Sequence, residues 1–204
     1  MSAYLPVKRK FGHILTRTSR KSVNRFLLLA LRVIAASPVI HFHQTLTFPW
    51  KMNDATAAKQ IFFRFIKEIC AAYAKDGIAG LYVQESRKDE AIHFHVSFLF
   101  FRAENLKFSP SRLYRDFRHD IFERWNRLND LKAVHKANEM KEHKFDMETM
   151  RYFTKAIMVD DGLAKREQTN WWGGFNKRII FRCSQIPSRQ EIKAAYNASF
   201  KKAQ

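Results

Sequence analysis

From Ala91 to Ser97 the chain reads Ala-Ile-His-Phe-His-Val-Ser, an alternation of apolar and polar residues with a period of two. A helix would scatter these side chains around its axis. An extended strand puts Ile92, Phe94 and Val96 on one face and both imidazoles on the other. The same period recurs from Val39 to Phe48, where Phe42, Leu46 and Phe48 alternate with His41, His43, Thr45 and Thr47. Leu81–Glu85 and Ile92–Phe101 flank the polar run Ser86–Glu90, which predicts a hairpin.

Between these strands lie segments of helical period. Asp54 is placed to cap a helix whose apolar positions Ala58, Ile61, Phe62, Phe65, Ile69 and Tyr73 follow three- and four-residue steps. Ser111 opens a second, with Tyr114, Phe117, Ile121, Phe122, Trp125 and Leu128 on its apolar side and Arg112, Arg115 and Arg118 elsewhere. Asp146 opens a third, running through Tyr152 to about Val159. Trp171–Arg182 reads as a last strand entered through Gly173 and Gly174, and Ser188 with Glu191 forms the capping box of a C-terminal helix. Strands and helices in this order predict an α+β fold, a central antiparallel sheet with helices mainly on one face and the other face open to a substrate. At 204 residues the chain has room for one catalytic domain, expected over 37–183, with a basic N-terminal arm and helix over 1–36 and a C-terminal helix over 184–204.

The charge narrows the partner. Lys and Arg number 37 against 19 Asp and Glu, a net charge of +18, which suits a polyanion such as nucleic acid. Clusters at Lys8–Lys10 and Arg17–Lys21 mark the N-terminal stretch as a basic arm. The apolar run Phe26–Ala36 contains Arg32 and is about half a bilayer span, so a buried or partner-facing helix is expected and no membrane partner. Cys70 and Cys183 lie far apart with no CxxC spacing, and no secretory cleavage pattern follows the basic N-terminus. A reducing cytoplasm is the expected compartment. No Gly-rich P-loop is present, which excludes a fused ATPase of that type.

His93 and His95, two residues apart on a strand, form a two-point grip for a metal. The hairpin brings the end of the preceding strand alongside, where Glu85 or Gln84 would complete the ligand set, and the charge of Glu85 suits a hard cation better. Strict alternation groups Glu85 with the apolar Leu81 and Val83. A second pair, His41 and His43, has no acidic residue at hairpin distance before it. On the third helix Tyr152 and Lys155 stand one turn apart, a phenol beside an ammonium, while Met150, Phe153 and Ile157 mark the buried side.

Taken together, Gln44-Thr45-Leu46-Thr47-Phe48, His93-Phe94-His95, Tyr152 to Lys155 and the aromatic-glycine segment Asn170–Phe175 resemble, in order and spacing, the HUH endonucleases, which include initiators of rolling-circle replication. The resemblance covers roughly residues 38–182. It implies a ferredoxin/RRM-like fold and Mn or Mg on His93, His95 and Glu85. It also implies Tyr152 as nucleophile toward a scissile phosphate, with Lys155 steadying the anionic centre. The implied partners are single-stranded DNA at a replication origin, a host helicase and a DNA polymerase. Thr45, Thr47, Arg112, Arg115, Trp171, Trp172, Lys177 and Arg178 are the candidate nucleic-acid contacts. Two other readings fit parts of the sequence. His43-Gln44-Thr45 and His95-Val96-Ser97 are two H-x-[ST] units, similar to the metal-free two-histidine phosphoesterases that act on RNA ends. A non-catalytic basic module would instead stack bases on Trp171, Trp172 and Phe175 beside Lys177 and Arg178.

Overall fold

The computed structural model describes residues 17–36, 40–86, 92–101, 110–130, 140–142, 146–159 and 172–200. Its elements run α1 (Arg17–Ala36), β1 (Ile40–Thr47), α2 (Ala55–Ala72), β2 (Ile78–Ser86), β3 (Ile92–Phe100), α3 (Pro110–Leu128), β4 (Met140–Glu142), α4 (Met147–Val159), β5 (Trp172–Phe175), α5 (Lys177–Cys183) and α6 (Arg189–Phe200). The strands form one sheet in the order β4-β1-β3-β2-β5 with every neighbouring pair antiparallel. This is the α+β class that the alternation predicts. Among the described residues no helix is long and apolar enough to cross a membrane.

The local signals set the element ends. Asp54 accepts from the Thr56 and Ala57 amides at 2.8 and 3.0 Å, satisfying donors that the first turn of α2 cannot use internally. Asp146 does the same for α4 through Glu148 and Thr149. Ser188 and Glu191 close the capping box of α6: the Glu191 amide donates to Ser188 Oγ and the Ser188 amide donates to the Glu191 carboxylate.

Alternation along the strands builds two cores, one on each face. On the first, Phe42, Leu46, Ile78, Tyr82, Phe94, Val96, Phe98 and Phe100 pack against α2 and α3, with Phe62 stacked on Phe94 at 4.1 Å between ring centroids. Trp125 of α3, fully buried, donates from its indole to the Thr47 carbonyl at 3.0 Å and so pins the end of β1. On the second face, Ala79, Leu81, Val83 and Leu99 pack against Phe26, Leu27 and Val33 of α1, Met150 and Phe153 of α4, Ile180 of α5 and Ala195 of α6. The expectation of helices mainly on one face is therefore corrected: both faces carry helices. The apolar stripe of α1 and Ala195 of α6 lie in the second core.

The stretch expected as a strand from Trp171 to Arg182 is also corrected. Only Trp172–Phe175 pairs with β2, Asn176 turns the chain in the left-handed region at φ 48°, and Lys177–Cys183 is a helix. Asn176 secures the turn by donating to the Ile78 carbonyl at 2.8 Å. Gly173 faces Tyr82 across this pairing, and a Cβ there would meet the Tyr82 hydroxyl at 2.6 Å and its ring at 2.8 Å.

Candidate metal and tyrosine site

The register fixes the site. His93 of β3 pairs with Glu85 of β2 on one side and Thr47 of β1 on the other, and His95 pairs with Val83 and Thr45. Since Ile92, Phe94 and Val96 belong to the first core, both imidazoles project from the second face, and Glu85 shares that face with Leu81 and Val83. The apparent conflict in grouping a carboxylate with two apolar residues disappears: one end of this face is core and the other end is the site. Gln84 pairs with Phe94 and lies on the first face, away from the histidines.

Glu85, His93 and His95 lie close enough together to hold a metal ion, with their ligand atoms within 4.8 Å of one another. Glu85 Oε2 is 3.3 Å from His93 Nε2 and 2.9 Å from His95 Nε2. Hydrogen bonds from His93 and His95 hold the Glu85 carboxyl well below the usual carboxylate range, against the opposing effect of burial. The histidine side chains are almost wholly covered while 29% of the Glu85 side chain is exposed, so the cluster opens to solvent on the carboxylate side. Two imidazoles with one carboxylate are a donor set that a divalent cation accepts, with positions left for other oxygens.

Tyr152 projects from α4 onto this cluster, its hydroxyl 3.1 Å from His95 Nε2 and its ring edge-on to that of His95 at 5.2 Å. It remains 46% exposed, while Met150, Phe153 and Thr154 beside it are buried. The backbone of Lys155 lies in the same helix, and its side chain falls outside the described residues. His43 of β1 stacks almost parallel to His95, with centroids 5.8 Å apart and planes inclined by 13°.

The predicted nucleic-acid contacts divide. Thr45 and Thr47 lie on the site face, where Thr45 Oγ1 is 3.2 Å from His95 Nδ1, so the hydroxyl is engaged with a ligand ring. Arg112 and Arg115 are exposed on α3, which covers the opposite face, and both pair with Asp116; the structure does not bring them to the site. Trp172 is half-buried, donates from its indole to Ser22 Oγ at 2.6 Å and sits edge-on to Phe26 at 5.5 Å, which makes it the joint between β5 and α1 and not an open platform for bases. Trp171 lies outside the described residues. Lys177 and Arg178 are exposed at the start of α5, beside the Ile78 end of β2 and so at the opposite end of that strand from Glu85. Two features were not found from sequence: the His43–His95 stack and the Thr45–His95 contact, both of which depend on the β1–β3 register.

Compared with models of known protein families, with curated proteins and with solved structures, the chain matches none. The functional reading rests on the geometry of the site.

Proposed function

We propose that this chain is a metal-dependent endonuclease of the HUH type that nicks and rejoins single-stranded DNA through Tyr152, initiating rolling-circle replication of a mobile element. The observation that carries the reading is the hydroxyl of Tyr152 standing 3.1 Å from Nε2 of His95, one of the three residues of the cluster that could hold a metal. A divalent ion, Mn or Mg, held there would supply Lewis-acid polarisation of a phosphate oxygen. The Tyr152 oxygen forms the bond to the scissile phosphorus and the bond from phosphorus to the 3′ oxygen breaks. In the net step the phenol proton passes to that 3′ oxygen. The products are a 5′-phosphotyrosine and a free 3′-hydroxyl that a polymerase can extend behind a helicase.

Phenoxide is a better leaving group than an alkoxide, so attack by a returning 3′-hydroxyl reverses the step without ATP, in keeping with a sequence that contains no P-loop. Lys155, one turn along α4, is assigned the neutralisation of charge on the attacked phosphate. The surplus of 37 basic over 19 acidic residues supports a single-stranded DNA partner. The test is incubation with Mn and an end-labelled pool of random-sequence single-stranded DNA, alongside single-stranded DNA flanking the gene. A labelled species that survives denaturation and disappears with EDTA or protease supports the reading; its absence with both substrates contradicts it.

One observation favours a second reading. In the β1–β3 register His43 pairs with Ser97 and Thr45 with His95, so the two H-x-[ST] units face each other symmetrically with their rings stacked. A metal-free phosphoesterase would use those imidazoles as acid and base on RNA ends, leaving Glu85, His93 and Tyr152 without tasks. Cleavage of RNA ends undiminished by EDTA would favour it over the nickase.

A further inference from the structure

Of the two imidazoles in the cluster, one is held from behind and the other is not. His95 Nδ1 meets Thr45 Oγ1 at 3.2 Å, whereas His93 Nδ1 is buried without a hydrogen-bond partner among the described residues. Thr45 reaches His95 because β1 and β3 pair these two residues directly, fifty positions apart in the chain. Its hydroxyl is thus delivered by the sheet backbone and not by a loop.

The chemistry of that contact depends on what Nε2 is doing. The Glu85 carboxylate can only accept, so in the metal-free protein a His95 ring that donates from Nε2 to Glu85 Oε2 at 2.9 Å, with the Tyr152 hydroxyl 3.1 Å from the same nitrogen, leaves Nδ1 as an acceptor for the Thr45 hydroxyl proton. A ring that gives its Nε2 lone pair to a cation must carry its proton on Nδ1 and donate it backward. A threonine hydroxyl rotates to serve either state, donating in the first and accepting in the second. A carboxylate there could serve only the second, and an aliphatic side chain neither.

We infer that Thr45 is a positioning residue for the metal centre: it holds His95 with Nε2 toward the cation and stabilises the Nδ1-protonated form that ligation requires, making His95 the fixed ligand and His93 the adjustable one. This deepens the metal-dependent reading and rests on it. It also changes the task given to Thr45 by sequence, from touching nucleic acid to orienting a ligand.

The test is Mn binding to the full chain, measured by calorimetry and by the loss of the free-ion EPR signal, with no substrate present. Thr45→Val keeps the shape and removes the hydroxyl; Thr45→Ser keeps the hydroxyl. Loss of a partner behind a metal-bound histidine typically weakens affinity about 10- to 100-fold, and that loss is expected for the valine variant, with serine staying within about threefold of wild type. Equal affinity of the valine variant and wild type overturns the proposal while leaving the metal centre intact. No Mn binding by wild type overturns the metal centre itself, and this proposal with it. Should the valine variant fail to fold, nitrogen-15 spectra of the wild-type histidines with Zn as a diamagnetic probe decide the matter. His95 protonated on Nδ1 and ligated through Nε2 is the expected result, and the reverse tautomer refutes the inference.

Discussion

The position of Tyr152 depends on how α4 is fastened to the sheet, and Phe153 is its main fastening. The Phe153 ring is fully buried, 6.1 Å from Phe26 of α1 and 5.5 Å from the His43 ring of β1 between centroids. It therefore ties the helix that carries the tyrosine to both the second core and the histidine face. Phe153→Ala removes that ring from a packed interior, a change that costs about 3–5 kcal/mol from lost burial and the cavity left behind. In a chain of 204 residues each kcal/mol lowers Tm by about 2–4 °C, so a fall of roughly 6–20 °C is expected. Phe153→Leu refills most of the space and should cost about 1–1.5 kcal/mol. Urea unfolding followed by circular dichroism in EDTA measures both, and Ile186→Ser, at a position 76% exposed, is the control expected within about 0.5 kcal/mol of wild type. At a temperature where the alanine variant is still folded, its yield of protein–DNA adduct should fall as well, because Tyr152 no longer sits over His95. A cost below about 1 kcal/mol for Phe153→Ala would show that α4 is not anchored this way.

Two other measurements probe the site and the core. The Glu85 carboxyl is held below its ordinary range in the folded protein, so it contributes stability that is present above the ordinary glutamate value of about 4.3 and is lost as pH falls below it. In EDTA the urea midpoint of wild type should drop more steeply with acid through that window than that of Glu85→Gln, and parallel curves would contradict the contact. Burial pushes the Cys70 thiol up to about 11, whereas Cys183 is exposed. A thiol reagent at pH 8 should therefore modify one cysteine quickly in the native protein, and Cys183→Ser should abolish that fast phase; fast labelling that persists in this variant would place Cys70 at the surface.

What could be read in advance was what depends on neighbours in sequence. Asp54 before a helical period, Ser188 with Glu191, and the alternation around His93 and His95 are local patterns, and each appears in the fold as expected. The grouping of Glu85 with Leu81 and Val83 was legible too, yet its meaning was not: a strand face that is core at one end and a polar site at the other looks inconsistent until the helices covering it are known. The run Ile179-Ile180-Phe181 has the β-branched and aromatic character of a strand. The left-handed turn at Asn176 and burial of Ile180 in the second core make it a helix. The roles of Trp172 and Thr45 were hidden for a different reason, since Trp172 meets Ser22 across 150 positions and Thr45 meets His95 across 50. Contacts at that separation follow from strand order and register, which one-dimensional patterns do not contain.

The central claim is that Tyr152 forms a covalent bond to DNA, and peptide mapping of the adduct addresses it directly. Wild-type protein is incubated with Mn and the single-stranded DNA that yields the adduct, the DNA is digested to a short remnant, and mass spectrometry locates the modified residue. The expected result is a nucleotide remnant on Tyr152, with Tyr152→Phe still binding Mn and DNA but forming no adduct. A remnant on another tyrosine, such as Tyr114 or Tyr196, or an adduct that persists in Tyr152→Phe, would contradict the assignment.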